Sequence, residues 1–272
     1  MFKISALAYT YDGSFEGLLC CVFESFAWKE TPLAVHSEQE GQGLLLEARW
    51  IETDAAKAER VLRSIPQKIG AEAEEWVRLG FWSGVPEKEL LLIRFLQLGF
   101  KHGRQVMNML ADETVHALGK AVQHLQRESH KYMGFVRFSV YGRVMAAVIE
   151  PQGYVLPLLQ DHFCDRFAGE SFMIYDSVHR VALIHEPGRQ AIIPLDEWTP
   201  PEADQTEEHY RSLWTGFYHA IGIEPRRNER LRASLMPKRY WKQLPEMNGG
   251  GTASFRLGKK DHEERRLPEG PE

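Results

Sequence analysis

Apolar residues near the start of the chain recur at helical spacing. Phe15, Leu18, Leu19, Val22, Phe23 and Phe26 fall at i, i+3, i+4, i+7, i+8 and i+11, the stripe of a helix with one buried face. Before it, KISALAY over residues 3 to 9 reads as a strand, and Asp12-Gly13-Ser14 supplies a turn and a helix N-cap. Residues 44 to 51 read as a second strand. Asp54 then caps a helix carrying Ala58, Val61, Leu62 and Ile65. From about residue 71 to 130 the spacing is helical almost throughout, broken near Gly84-Val85-Pro86 and at Gly103.

The pattern then changes. Residues 133 to 151 are β-branched and aromatic around Tyr141-Gly142, which predicts a hairpin. Pro157 suits the first turn of a helix running through LLQDHFCDRF, and FMIYDSVHRVALI predicts strand, turn and strand. EPGRQAIIPLDEWTPPEADQ is Pro-rich and reads as connecting loops with one short strand. A last helix carries Tyr210, Leu213, Trp214, Phe217, Tyr218 and Ile221 at helical spacing, with Asp204 and Glu207 placed as a capping pair. After residue 246 the chain is Gly-rich and then charged, with too few apolar groups to fold, so 247–272 is expected to be a flexible tail. The expected class is α+β: a helix-rich N-terminal half, β-hairpins in the middle, and C-terminal helices. A single domain over 1–246 is expected, with a sub-boundary near 130 as the alternative.

Composition narrows the function classes. A hydrophobic content of 43% is that of an ordinary globular protein. No window approaches 18 unbroken apolar residues and the N-terminus is not a signal peptide, so neither membrane insertion nor export is expected and cytoplasmic residence is the default. Cys20, Cys21 and Cys164 have neither disulfide-framework nor cluster-ligand spacing, so no iron–sulfur or structural zinc site is expected.

Charge is distributed unevenly. The segment 226 to 246, RRNERLRASLMPKRYWKQLPE, has seven cationic residues against two glutamates, +5 in a chain whose formal net charge is −5. Arg226, Arg227, Arg230, Lys238, Arg239 and Lys242, with Tyr240 and Trp241 between them, suit a polyanion. Cations neutralise phosphates, and flat rings stack on unpaired bases at about 1–3 kcal/mol each. The same residues also suit a second reading, in which Trp241 packs inward and the arginines meet the acidic remainder of the chain.

KYMGFVRF at 131 to 138 partly matches an RNA-recognition strand motif, but Tyr132 and Met133 break it and the upstream region is helical, so the match is chance. As a strand it would set Phe135 and Arg137 on one face, an aromatic beside a cation where a base could stack. Polar residues gather around the same hairpin: Glu128 and His130 before it, Glu150 after it, His162 and Arg166 one helical turn apart, then Asp176, His179 and Arg180. Glu128, His130, Arg137, His162, Arg166 and Asp176 form the candidate catalytic set, since imidazole moves protons near neutral pH and arginine forks match phosphate oxygens. Each taken singly also has a structural reading as a turn or helix-margin residue. The spacing His124, Glu128, His130 is not a zinc helix, because residues 128 and 130 point about 200° apart. No metal and no cofactor are expected.

YDGSFEGLLCCVFESF, ESHKYMGFVRF, DHFCDRF, MIYDSVHR, LWTGFYHAIGI and RRNERLRASLMPKRYWKQLPE, in this order, resemble the DNA-metabolism protein family. This is a domain of unknown function also found attached to uracil-DNA-glycosylase-like proteins. Its stand-alone members are encoded beside a radical SAM protein assigned to DNA modification or repair. The resemblance runs from about residue 2 to 246, and MPKRYW followed by a glutamate is its most specific part. It implies a bacterial, cytoplasmic role in DNA repair or modification, with DNA (single-stranded or damaged) and the radical SAM protein as partners. It carries no catalytic residues. With it, contact of the 226–242 segment with DNA becomes the preferred reading. An enzyme acting on DNA or nucleobases, and a protein-interaction module anchored by Tyr240 and Trp241, remain the alternatives.

Overall fold

The computed structural model describes residues 2–38, 47–221, 223, 226 and 228–248. It divides at Pro200–Pro201 into two compact units, and residue 130 lies inside a helix.

The first unit opens with β1 (Lys3–Ile4) and β2 (Ala8–Tyr11). Ser14 accepts from the Gly17 N–H and starts α1 (Phe15–Ala27), whose stripe of Leu18, Leu19 and Val22 is buried as its spacing requires. β3 (Glu30–Thr31) pairs in parallel with β1, while β4 (Ala34–Ser37) and β5 (Ala48–Trp50) flank β2 in a second parallel sheet. The expected strand over 44–51 is thus three residues long where it is described, and 44–46 lie outside the described residues.

Helices follow: α2 (Ala55–Lys68), capped by Asp54, then α3 (Ala71–Trp82), α4 (Lys88–His102) and α5 (Glu113–Phe135). The breaks fall at 83–87 and at a 3₁₀ turn over Gly103–Asn108, where Gly103 has φ 61°. Ile65, Phe95, Leu96, Leu118 and Leu125 are fully or nearly fully buried among these helices. Each contributes about 1.5–3 kcal/mol of transfer free energy.

The second half of this unit is a five-stranded sheet. Gly142, at φ 64°, turns β6 (Ser139–Tyr141) into β7 (Val144–Ile149), the expected hairpin. α6 (Leu156–Arg166) then crosses to β8 (Phe172–Asp176), which is parallel to β7. β9 (Val181–Glu186) and β10 (Arg189–Pro194) complete the order β10-β9-β8-β7-β6 with antiparallel pairs. The short strand expected in the Pro-rich stretch is β10.

One expectation is corrected here. Phe135 is the last residue of α5, and Val136 to Phe138 precede β6, so Phe135 and Arg137 do not share a strand face. Tyr132 is buried and its carbonyl still accepts from the Val136 N–H, so packing carries the helix through a β-prone sequence.

The second unit contains α7 (Gln205–Ile221), α8 (Glu229–Leu235), a 3₁₀ turn over Lys238–Gln243 and α9 (Pro245–Asn248). Asp204 caps α7 through the Glu207 N–H at 2.8 Å, and Asn228 caps α8 through the Leu231 N–H at 2.9 Å. On α7 the apolar stripe is exposed: Tyr210 by 62%, Phe217 by 55% and Ile221 by 59%. Trp214 donates its indole N–H to the buried Glu246 carboxylate at 2.9 Å. The architecture is α+β, with helices at both ends and strands between.

Candidate functional site

The parallel pairing of β7 and β8 places Ile149 beside Asp176 at the C-terminal ends of both strands. In open α/β sheets, loops leaving such ends line ligand crevices. Two loops leave together here, residues 150–155 toward α6 and residues 177–180 toward β9.

Glu128 fixes the first loop. Its side chain is buried on α5, and its two carboxylate oxygens accept the backbone N–H groups of Gln152 and Gly153, each at 3.0 Å. The Tyr154 N–H donates to the Trp82 carbonyl at 2.7 Å, and the rings of Trp82 and Tyr154 meet edge to face. Glu128 therefore holds a loop to a helix and has both oxygens engaged. A second close contact lies nearby, since a Cβ on Gly153 would meet Leu125 Cδ1 at 2.5 Å and the Trp82 carbonyl at 3.0 Å.

Asp176 fixes the second loop. It is fully buried, and Oδ1 accepts the backbone N–H groups of Val178 and His179, each at 3.0 Å, the geometry that makes Asp a turn former. Oδ2 faces His179 Nδ1 at 2.7 Å. The His179 ring lies edge to face with Tyr154, their centroids 5.6 Å apart. Burial, and then the charge of Asp176, push the Tyr154 phenol above its usual range, so it keeps its proton.

The other members of the candidate catalytic set lie elsewhere. α6 runs away from the strand ends, so His162 and Arg166 sit about 9 and 15 Å along its axis from Leu156. There the His162 ring meets Phe163, and the Arg166 guanidinium lies over Phe167 at 5.7 Å, beside a cluster of Phe138, Phe163, Phe167 and Phe172. Arg137 donates Nη1 to the carbonyls of Gly134 and Val136, closing the end of α5. His130 is exposed on α5 and Phe135 is half-buried at its end. Only Glu128 and Asp176 of the six are brought to one end of the sheet. Tyr154, His179 and the backbone of Gln152 and Gly153 join them. The Asp-x-x-His spacing of Asp176 and His179 was the available signal, since a turn-forming Asp leaves its second oxygen for a residue three positions on.

In the second unit the cationic segment is arranged by its own short elements. Arg226, Arg230, Lys238, Arg239 and Lys242 are exposed, and Arg227 lies outside the described residues. Arg232 pairs with Glu229 at 2.9 Å, and its guanidinium lies over the Trp241 ring at 5.1 Å. Trp241 is half-buried and donates its indole N–H to the Met236 carbonyl at 2.9 Å. Tyr240 is buried, with the Arg239 guanidinium over its ring at 4.8 Å. What the segment presents outward is charge.

Among the described residues no group of three or more His, Cys, Asp or Glu could hold a metal ion, and no helix is long and apolar enough to cross a membrane. A protein-family model described as a domain of unknown function, DUF4130, matches residues 86–246, more than half of the chain and both regions just described. No curated protein matches the chain.

Proposed function

The chain belongs to the DUF4130 family, and on that footing we propose that it is a nucleic-acid-binding accessory component of DNA metabolism or repair. The observation that carries the reading is the exposure of Arg226, Arg230, Lys238, Arg239 and Lys242 within a +5 segment of an otherwise acidic chain. All five lie at the surface, where phosphates can reach them, and Arg232 beside them is paired with Glu229. The protein holds single-stranded or damaged DNA through these cations and presents it to a radical SAM repair or modification enzyme, the partner that the family resemblance implies. Its compartment is the bacterial cytoplasm.

The test is fluorescence anisotropy with a labelled single-stranded oligonucleotide over a salt series from about 50 to 300 mM. Five phosphate contacts on a single strand give a slope of log affinity against log salt of about −3.5. Absence of binding at the lowest salt, or affinity indifferent to salt, rejects the proposal.

A second reading, a protein-interaction module, draws on α7 rather than on Tyr240 and Trp241. Leu213, Phe217 and Ile221 stand exposed at the spacing by which amphipathic helices enter partner grooves. Co-purification of a partner at high salt in nuclease-treated lysate, lost in Phe217→Asp, supports it.

A further inference from the structure

The turn between β8 and β9 carries an arrangement that DNA binding by the second unit does not use. Oδ1 of Asp176 is occupied by two backbone N–H groups, and Oδ2 lies 2.7 Å from His179 Nδ1. A carboxylate oxygen accepts, so Nδ1 donates in this contact, and in the neutral ring Nε2 is the nitrogen that holds the lone pair. The His179 side chain is 29% exposed, whereas that of Asp176 is fully buried, and no hydrogen bond to Nε2 forms among the described residues. Tyr154 packs against the ring and limits its rotation. Arg180, the next residue, is exposed, makes no ion pair among the described residues, and is held at φ 55°, an uncommon backbone conformation for a residue with a side chain. One turn thus carries an oriented base with an open nitrogen and an adjacent cation.

We propose that this turn is a hydrolytic site for phosphoric diesters, with His179 as general base, Asp176 as its positioning residue and Arg180 as the cation that meets the phosphoryl oxygens. In the step, Nε2 takes a proton from water as the water oxygen bonds to phosphorus. The bond from phosphorus to the leaving oxygen breaks on the opposite side, that oxygen departs as the anion or takes a proton from solvent, and the imidazolium gives its proton back to water. The ring becomes cationic against the buried carboxylate of Asp176, which stabilises that charge without itself taking the proton. Arg180 forks onto the non-bridging oxygens. No oxidant and no co-substrate other than water is required. The inference is independent of the DNA-binding reading, since the residues belong to different units.

The experiment uses the full chain and bis(p-nitrophenyl) phosphate in the presence of EDTA, following p-nitrophenol. Wild-type protein is expected to release it above the buffer rate. His179→Ala and His179→Gln should each lower kcat by about 100-fold or more. Added imidazole should restore part of the His179→Ala rate, which a purely structural loss would not allow. Asp176→Asn should lower kcat with KM unchanged, and Arg180→Ala should raise KM. His116→Ala, on the exposed face of α5, should match wild type. Circular dichroism and urea midpoints check that each variant is folded. Release no faster than buffer by wild type, or wild-type turnover in both folded His179 variants, overturns the proposal whether or not the protein binds DNA.

Discussion

Oε2 of Glu128 accepts the backbone N–H of Gly153 at 3.0 Å while Oε1 takes that of Gln152 at the same distance. A helix thereby holds a loop through both atoms of one buried carboxylate. Glu128→Gln should keep one of these bonds and set an amide NH₂ against the other N–H, leaving a buried donor unmet. The expected cost is about 1–3 kcal/mol, read as a lower urea midpoint with an unchanged m-value. A midpoint equal to wild type would mean that water replaces the carboxylate without loss.

Two glycines should respond in opposite directions. Gly153→Ala drives its Cβ toward the Leu125 methyl and the Trp82 carbonyl, and the carbonyl, as backbone, has little room to yield. It should destabilise by about 1–3 kcal/mol. Gly134, within α5, has nothing within 4 Å of an added Cβ, so Gly134→Ala should stabilise by about 0.5–1 kcal/mol. Urea denaturation of both variants checks the pair of signs.

Much of this was legible in the sequence, and the limits have physical causes. The α1 stripe, the Asp54 cap, the Tyr141-Gly142 hairpin and the Asp204–Glu207 cap are all local, set by residues within a few positions of each other. Glu128 read as a candidate acid because its partners, Gln152 and Gly153, lie far along the chain and only the fold brings them near. Phe135 read as a strand residue because its neighbours are β-prone, yet burial of Tyr132 keeps α5 going past it. The α7 spacing correctly gave a helix. Periodicity alone did not say whether that face is covered, and Phe217 and Ile221 are exposed. His179 was visible beside Asp176, but only the 2.7 Å contact separates an oriented ring from a turn residue.

If the cationic segment meets phosphates, each of its heads should register in the salt dependence. Arg239→Ala and Lys242→Ala should each flatten the slope of log affinity against log salt by about 0.7–0.9 and weaken binding equally across sequences. A change that depends on oligonucleotide sequence would point to base contacts instead.

Acid should act on the turn before α1. Burial works against ionisation of Asp12, but the Ser14 hydroxyl and N–H and the Thr53 hydroxyl, at 2.6 to 2.9 Å, outweigh it and hold the carboxyl below its usual range. A lowered folded-state value contributes stability above the unfolded value, lost as pH falls through the folded one. Wild type should therefore lose stability below about pH 4 more steeply than Asp12→Asn, measured by thermal melts between pH 5 and 2. Parallel curves for the two proteins would contradict the assignment.

All three thiols should be inert while the protein is folded. Burial raises Cys20, Cys21 and Cys164 above the ordinary thiol range, so little thiolate is present near neutral pH. Iodoacetamide at pH 7.5 should label none of them within an hour, and all three in 6 M guanidinium, by intact mass.

The five-stranded sheet ends in β6 on one side and β10 on the other. β6 is three residues long, too short to recruit a foreign strand. β10 begins at the exposed cation Arg189 and stops at Pro194, which has no N–H to donate to an incoming chain. Both margins therefore resist edge-to-edge growth into aggregates, so copies of the protein can be concentrated without fusing sheet to sheet.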